Sequence, residues 1–141
     1  MNITELSSHY FVSPQIELSD INALKEQGFA VIVNNRPDGE SEDQPSSAEV
    51  QAAVEQAGLR YVYNPVDLQN LSHKEVLVQN ELIETGDKVF AYCRTGTRSS
   101  VLWVLANQKD EASFVTLVAD VMRKGFDLGR CLPAMERLKK A

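Results

Sequence analysis

The sequence of 141 residues is poor in the residues that metal sites and disulfide frameworks require. It has two cysteines, Cys93 and Cys131, which are too few for a disulfide framework and form no CxxC pair. Its two histidines, His9 and His73, stand alone, so structural zinc is disfavoured. We therefore expect two reduced thiols, no metal and no organic cofactor.

Long apolar runs and basic charge are also scarce. The longest apolar run, Ser99–Asn107, is too short to span a bilayer. The N-terminal residues MNITELSS lack the basic and apolar regions of a secretory signal, so we expect a cytoplasmic protein. The formal net charge of −6 argues against nucleic acid or an anionic membrane as a partner.

What the sequence does contain is ordinary for a globular protein. The hydrophobic fraction is 43% and the charged fraction 24%, and the length suffices for one real hydrophobic core. We therefore expect a single domain over residues 1–141. The sequence alone does not indicate the oligomeric state.

Strand and helix patterns alternate along the chain, which predicts an α/β fold. The sheet should be central and mainly parallel, with four to five strands, flanking helices and a helical C-terminal tail. The predicted strands are Tyr10–Gln15, Ala30–Val33, Tyr61–Tyr63 and Lys88–Tyr92. The predicted helices run from Ser19 to Gln27, from the capping box Ser46-x-x-Glu49 to Ala57, from the capping box Ser72-x-x-Glu75 to about Glu84, from Arg98 to Asn107, from Asp110 to before Gly125, and from Leu132 to Lys139.

Three polar clusters follow predicted strands: Asn34–Glu40, Asn64–Asp67 and Cys93–Arg98. Because the carboxyl ends of parallel strands meet at one edge of a sheet, we expect these clusters to lie together. The topology therefore predicts a functional site at that edge.

The segment AYCRTGTRSS is the strongest functional signal. A thiol at a strand end, followed by a short loop and a helix, faces backbone N–H groups and a helix N-terminus, which favour thiolate over thiol. Arg98 can offer a planar fork to a phosphate-like or sulfur oxyanion. The predicted substrate-binding residues of the loop are Arg94, Thr95, Gly96 and Thr97, with Arg94 at the rim.

Further residues are candidates for supporting roles. Ser99 can donate a hydrogen bond to the sulfur, and Asn35 and Arg36 can line the pocket from a strand end, although Arg36 can instead pair with Glu40. An ester's leaving oxygen needs a proton, normally from a carboxylic acid. Asp67 and Asp38 are the two candidates, and each is also a plausible turn residue.

The sequence resembles a known family at several motifs. VSPQI, VIVNNRPDGE, AGLRYVYNPV and YCRTGTRSSVLW together are similar to the phosphatase-like domain of the beta-lactamase hydrolase-like proteins, the DUF442 group. The resemblance implies a dual-specificity-phosphatase-like fold and a hydrolase of the protein tyrosine or dual-specificity phosphatase type. It also implies that Asp67 occupies the place of the general acid.

The motif departs from the usual pattern of these phosphatases. Four residues rather than five separate Cys93 from Arg98, and Tyr92 stands where a histidine is usual. YCRTGTRS also resembles the loop of single-domain rhodaneses. The leading interpretation is a phosphomonoesterase that acts through a thiophosphoryl-cysteine. The alternatives are a sulfurtransferase that carries a persulfide on Cys93 and a non-catalytic anion-binding module.

Overall fold

A computed structural model describes residues 1–139 and contains a five-stranded sheet with helices on both faces. The strands are β1 Thr4–Ser7, β2 Tyr10–Ser13, β3 Val31–Asn34, β4 Arg60–Tyr63 and β5 Val89–Tyr92. The helices are α1 Ile21–Glu26, α2 Ser47–Gln56, α3 His73–Glu84, α4 Thr97–Asn107, α5 Glu111–Arg123 and α6 Leu132–Glu136. Two short 3-10 turns, Leu18–Asp20 and Leu68–Asn70, precede α1 and α3.

The strands lie in the order β1-β2-β5-β3-β4. The β2–β5, β5–β3 and β3–β4 pairs are parallel, and only β1 runs antiparallel to its neighbour, β2. This arrangement confirms the predicted fold class, a mainly parallel sheet flanked by helices. The parallel strands therefore end at the same edge of the sheet.

Alternate side chains of the strands face opposite sides of the sheet. Val31, Val33 and Val89 pack with α3, α4, α5 and α6 in one apolar cluster. Ile32 and Phe90 pack with α1 and α2 in a second cluster. The helices are therefore attached to both faces by the apolar surface that they and the strands bury.

Helix α4 is the most deeply buried helix segment next to the sheet. Every residue from Ser99 to Leu105 is buried, so the helix is covered around its whole circumference. Because the helix cannot shift without disturbing the core, the turn that begins it, at Gly96, is held in place.

Several boundaries differ from the sequence predictions. The N-terminal strand β1 was missed, because its residues Thr4–Ser7 alternate little in hydrophobicity. Ser19 is not an N-cap: it lies in the 3-10 turn that Glu17 caps. The last helix ends at Glu136 rather than Lys139.

The two predicted capping boxes have different outcomes. Ser46 and Glu49 form the predicted box at the start of α2. Ser72 precedes α3, but its hydroxyl donates to Glu75 Oε2 at 2.6 Å and accepts no amide hydrogen. In the C-terminal tail, Cys131 precedes α6 and is buried in the cluster that contains Val31, Val33 and Val89, as expected of a structural thiol. No helix among residues 1–139 is long and apolar enough to cross a membrane.

Candidate active site

The ends of the four parallel strands form a row across the sheet. Ser13 is in register with Tyr92, Tyr92 with Asn34, and Asn34 with Tyr63. The main chain stays paired beyond the last strand residue, since Asn35 N donates to Tyr92 O at 2.8 Å. The three polar clusters therefore leave the sheet side by side, as the sequence predicts.

The Cys93–Arg98 segment is a tight loop between β5 and α4. Gly96 N donates a hydrogen bond to Cys93 Sγ at 3.1 Å. Gly96 has a φ of 92°, in the left-handed region that other residues rarely adopt, and a Cβ there would lie 2.8 Å from Phe126 Cε1. Both backbone conformation and close packing thus require glycine at this position.

The remaining loop residues face outward. Arg94 and Thr95 are exposed, and Thr95 Oγ1 donates to Thr97 Oγ1 at 3.1 Å. Among residues 1–139, Gly96 supplies the one backbone hydrogen bond found to the sulfur. The sequence suggests that several loop amides surround the sulfur, but in the described residues one loop amide, that of Gly96, donates a hydrogen bond to it.

Cys93 is fully buried, yet it belongs to neither apolar cluster. Its sulfur has two polar partners within the described residues, the Gly96 amide and the Arg98 guanidinium. A sulfur without exposed surface cannot be touched by a substrate until a covering group moves. The sulfur is therefore shielded from solvent in this structure.

Arg98 is held by three hydrogen bonds at the end of its side chain. Nη1 donates to Glu40 Oε2 at 2.8 Å and to Val66 O at 3.0 Å, and Nη2 donates to Glu40 Oε1 at 2.8 Å. A guanidinium has five N–H groups. The three bonds to Glu40 and Val66 leave Nε–H and one Nη2–H, and Arg98 also makes a side-chain hydrogen bond to Cys93.

Glu40 joins two arginines. Besides Arg98, it accepts a hydrogen bond from Arg36 Nε at 2.9 Å. The hydrogen bond from Arg98, together with that from Arg36 and their charges, outweighs partial burial and lowers the pKa of Glu40 to about 2. The hydrogen bond to Glu40 and the nearby charge of Cys93 raise the pKa of Arg98 despite its desolvation. Glu40 therefore stays ionised and fixes the Arg98 guanidinium.

The lowered pKa of Glu40 makes part of the folding stability depend on pH. A depressed folded-state pKa contributes stability that is present above the unfolded value of 4.5 and lost as pH falls through about 2. We expect Glu40→Gln to lower the free energy of unfolding by ~1–2 kcal/mol at neutral pH, a value discounted for partial exposure. Urea unfolding at a series of pH values measures this difference.

The difference between wild type and Glu40→Gln should shrink as pH falls from 4.5 towards 2. Glu42→Gln is the matched control, because Glu42 lies in the same loop and has no ion pair among the described residues. It should leave the pH dependence unchanged. A constant gap between wild type and Glu40→Gln at all pH values would contradict the assigned ion pair.

The two candidate acids occupy different places. Asp67 is exposed and lines a cavity of about 510 Å³ together with Arg98 and Glu40. Its Oδ1 accepts from Gln69 N at 3.1 Å. Asp38 does not line this cavity; its Oδ1 accepts from Ser47 N at 2.7 Å, in the first turn of α2. The structure therefore places only Asp67 beside Arg98.

Arg36 and Arg94 line a neighbouring cavity of about 340 Å³. The buried Arg36 donates to Glu40, and its Nη1 donates to Gln15 Oε1 at 3.0 Å. The interpretation of Arg36 as an ion-pair partner of Glu40 is thus confirmed. Arg94 is exposed.

Ser99 and Asn35 meet behind the loop. Asn35 Nδ2 donates to Ser99 Oγ at 2.9 Å, and both residues are fully buried. No hydrogen bond joins Ser99 to the sulfur in the part of the chain described, so the structure does not show the contact expected from the sequence. Asn35 supports Ser99 instead of lining an open pocket.

Sequence reasoning missed several polar residues around the loop. The sequence indicates Glu40 only as a partner of Arg36. Gln79 is fully buried, although it lies on the face of α3 that also carries Val76 and Leu82. A glutamine in an apolar i, i+3 stripe is the signal that could have pointed to it. No comparable signal distinguishes Tyr10 from an ordinary core aromatic.

Comparison with known proteins identifies the class. The core catalytic domain of the PP-IP phosphatase SIW14 from S. cerevisiae matches at a TM-score of 0.66 and 15% identity, covering 99% of this chain and 86% of that one. A presumed phosphatase from Neisseria meningitidis matches at a TM-score of 0.80 and 29% identity over 99% of both chains. The fold is that of the cysteine-dependent phosphatases.

The family follows from sequence. Residues 2–110 match the model of the beta-lactamase hydrolase-like protein, phosphatase-like domain. The beta-lactamase hydrolase-like protein of Agrobacterium fabrum is 30% identical over 143 aligned positions, which cover 100% of this chain and 33% of that protein. The chain belongs to this phosphatase-like domain family, which confirms the resemblance. It spans about a third of the length of its curated relatives.

Proposed function

We propose that the chain is a phosphomonoesterase in which Cys93 is the nucleophile. The observation that carries the proposal is the arrangement of the Cys93–Arg98 loop. The loop leaves the sheet at the row of strand ends, and Arg98, which Glu40 holds by two hydrogen bonds, also makes a side-chain hydrogen bond to the buried Cys93. Membership in the phosphatase-like family supports a phosphorylated substrate.

The first step transfers the phosphoryl group to the enzyme. The Cys93 thiolate attacks phosphorus, an S–P bond forms, and the P–O bond to the leaving alcohol breaks. The two N–H groups of Arg98 that Glu40 and Val66 leave unused hold two phosphoryl oxygens while charge redistributes. Asp67 donates its proton to the leaving oxygen, so a neutral alcohol departs.

The second step restores the enzyme. A water oxygen bonds to phosphorus as the S–P bond breaks, and the electron pair of that bond returns to sulfur. The ionised Asp67 carboxylate takes the proton that the water loses. A donor to the sulfur stabilises the departing thiolate, and the hydroxyl of Ser99 is the candidate because it follows Arg98 in the first turn of α4.

Substrate entry requires a movement. Cys93 has no exposed surface, and the cavity that Arg98 lines does not reach it. Glu40 lies in the long segment between β3 and α2 and makes two of the hydrogen bonds that hold Arg98. We infer that a shift of this segment admits the phosphoryl group to the sulfur.

Asp67 is testable as the general acid. We expect Asp67→Asn to lower kcat about a hundredfold for an alkyl phosphate, whose leaving group needs a proton, and much less for a 4-nitrophenyl ester. Asp38→Asn should instead weaken the α2 cap and cost ~1 kcal/mol of stability with little loss of kcat. Steady-state kinetics with both esters and urea unfolding measure these effects. The reverse pattern would assign the acid to Asp38.

A second candidate function is favoured by the length of the loop. Only four residues separate Cys93 from Arg98, and YCRTGTRS resembles a rhodanese loop. In that reaction the Cys93 thiolate attacks the outer sulfur of thiosulfate, sulfite leaves, and a thiol acceptor then takes the persulfide sulfur. This reaction needs the thiolate and the cation but no general acid.

One preparation assayed with both substrates separates the candidates. The phosphatase proposal predicts turnover of an aryl phosphate and none of thiosulfate with a thiol acceptor. Asp67→Asn should reduce turnover of an alkyl phosphate, whereas a sulfurtransferase should be insensitive to it. Turnover of thiosulfate alone would replace the proposal with the second candidate, and turnover of neither would favour an anion-binding module.

A further inference from the structure

A further cavity adjoins the candidate active site at the 3-10 turn Leu68–Asn70. Leu68 and Gln69 line the cavity that contains Asp67 and Arg98, and they also line this second one, which has a volume of about 450 Å³. The second cavity, here called the tail cavity, is completed by four residues of the C-terminal tail: Arg130, Pro133, Ala134 and Arg137. One turn of the chain therefore forms a wall of both the candidate acid's cavity and the tail cavity.

The tail is anchored by buried side chains, and its arginines lie outside them. Leu128, Cys131 and Met135 are at most 4% exposed and pack in the apolar cluster that contains α4. Arg130 and Arg137 are exposed, and both line the tail cavity. The main chain that carries the two arginines is therefore held by the core, while their side chains reach solvent at one cavity.

The two guanidinium groups have no partner in this structure. Within residues 1–139, neither Arg130 nor Arg137 makes an ion pair or a side-chain hydrogen bond. Glu136, next to Arg137, pairs instead with Lys139 through Oε2 at 2.6 Å. Both carboxylate oxygens of Asp67 accept hydrogen bonds from the turn that follows it. Two uncompensated positive charges at one cavity attract an anion.

The chemistry of the tail cavity favours a phosphate group. A guanidinium offers parallel N–H donors that match the oxygens of a phosphate, and two of them can balance its double charge. Elsewhere the chain is acidic, with a formal net charge of −6, so this attraction is local. The volumes of the two cavities, about 510 and 450 Å³, are those of small-molecule sites, for which roughly 300–1,000 Å³ is usual.

We propose that the tail cavity binds a second phosphate of the substrate, which is then a small molecule with two phosphate groups, one of which is removed at Cys93. The inference rests on the proposed function. The phosphoryl group that is transferred lies at Arg98, the second phosphate lies at Arg130 and Arg137, and the carbon framework crosses Leu68. The second phosphate takes no part in bond making. It adds equal binding to the ground state and the transition state, so it lowers KM and leaves kcat unchanged.

Bisphosphates of graded length test this arrangement. The substrates are alkanediol bisphosphates from propanediol to decanediol, each compared with the alkyl monophosphate of the same length, and release of inorganic phosphate is measured. We expect kcat/KM to be highest at one chain length and to exceed that of the matched monophosphate about a hundredfold. This advantage should shrink as salt is added, because the arginines are exposed. Equal kcat/KM for the two kinds of substrate at every length would overturn the inference.

Three variants identify the residues responsible. Arg130→Gln and Arg137→Gln should each raise KM for the preferred bisphosphate about tenfold, with kcat and monophosphate turnover unchanged. Arg60→Gln is the matched control, because Arg60 is exposed and begins β4, at the end of the strand opposite to the site. It removes the same charge and should have wild-type kinetics. An equal rise in KM for Arg60→Gln and Arg137→Gln would show that only net charge matters and would overturn the assigned cavity.

A binding measurement separates the failure of this inference from the failure of the proposed function. Calorimetric titration of Cys93→Ser with the preferred bisphosphate should give a Kd at least about tenfold lower than with its monophosphate, and adding Arg137→Gln should remove the difference. Cys93-dependent turnover without any preference for bisphosphates would overturn the inference and keep the proposed function. Turnover that survives Cys93→Ser would overturn the proposed function, while the titration still tests the cavity. An effect of Arg130 and Arg137 confined to a phosphotyrosine peptide with flanking glutamates would overturn the small-molecule substrate.

Discussion

Replacing Cys93 with serine is expected to lower kcat for an aryl phosphate by about a thousandfold or more. A serine hydroxyl is close to isosteric with the thiol, so the loop should fold as before. It remains protonated at neutral pH, however, and no base within the described site is placed to take its proton. Steady-state hydrolysis of 4-nitrophenyl phosphate measures the loss.

The other cysteine provides the matched control. Cys131 is also buried, but it lies in the apolar cluster of the tail, and burial raises the pKa of its thiol. Cys131→Ser should leave kcat unchanged, apart from any loss of folded protein. Equal turnover by Cys93→Ser and wild type would show that the reaction does not pass through this sulfur.

Arg98→Lys should lower kcat/KM about a hundredfold, although the charge is retained. A lysine ammonium cannot donate two parallel hydrogen bonds to one phosphoryl group, and it cannot form the paired bonds to Glu40 that fix the guanidinium. The transition state, in which charge spreads over the phosphoryl oxygens, should lose more binding than the ground state. Kinetics over a range of substrate concentrations separate kcat from KM.

Arg123→Lys is the control for this substitution. Arg123 is exposed on α5 and pairs with Asp120 within its own helix, away from the strand ends. This variant should have wild-type kinetics. If Arg98→Lys also retained wild-type kcat/KM, the fork of N–H groups would have no part in the reaction.

Much of the fold is predictable from local pattern. Strands with buried residues on both faces, such as β3 and β5, are short apolar runs in the sequence. The capping box at Ser46 predicts the start of α2. The strand Thr4–Ser7 was missed because only Leu6 is buried, so its sequence carries no alternation strong enough to indicate a strand. It pairs with β2, which depends on tertiary context.

The position of the candidate site is predictable for a topological reason. Parallel strands place their carboxyl ends at one edge of the sheet. Cys93, Asn35 and Asp67 follow the neighbouring strands β5, β3 and β4, so they lie at that edge. Their contacts are less predictable. Whether Asp38 or Asp67 faces Arg98 depends on loop geometry. Asp38 accepts a hydrogen bond from Ser47 N at the start of α2, and the sequence around Asp38 indicates a turn but not this contact.

The links between distant residues could not be predicted from the sequence. Glu40 and Arg98 are 58 positions apart, and Tyr10 and Gln79 are 69 apart. Each pair forms only because the sheet order brings β2, β3 and β5 together. Buried polar side chains that contact only other side chains of the site, such as Asn35 with Ser99, carry no motif of their own.

The most direct test is the mass of the enzyme during turnover. We expect acid-quenched protein, mixed briefly with 4-nitrophenyl phosphate, to carry the added mass of one phosphoryl group, located on the peptide that contains Cys93. The Cys93→Ser variant should carry none. Turnover without any adduct on Cys93, or an adduct of one sulfur atom formed only from thiosulfate, would contradict a thiophosphoryl intermediate.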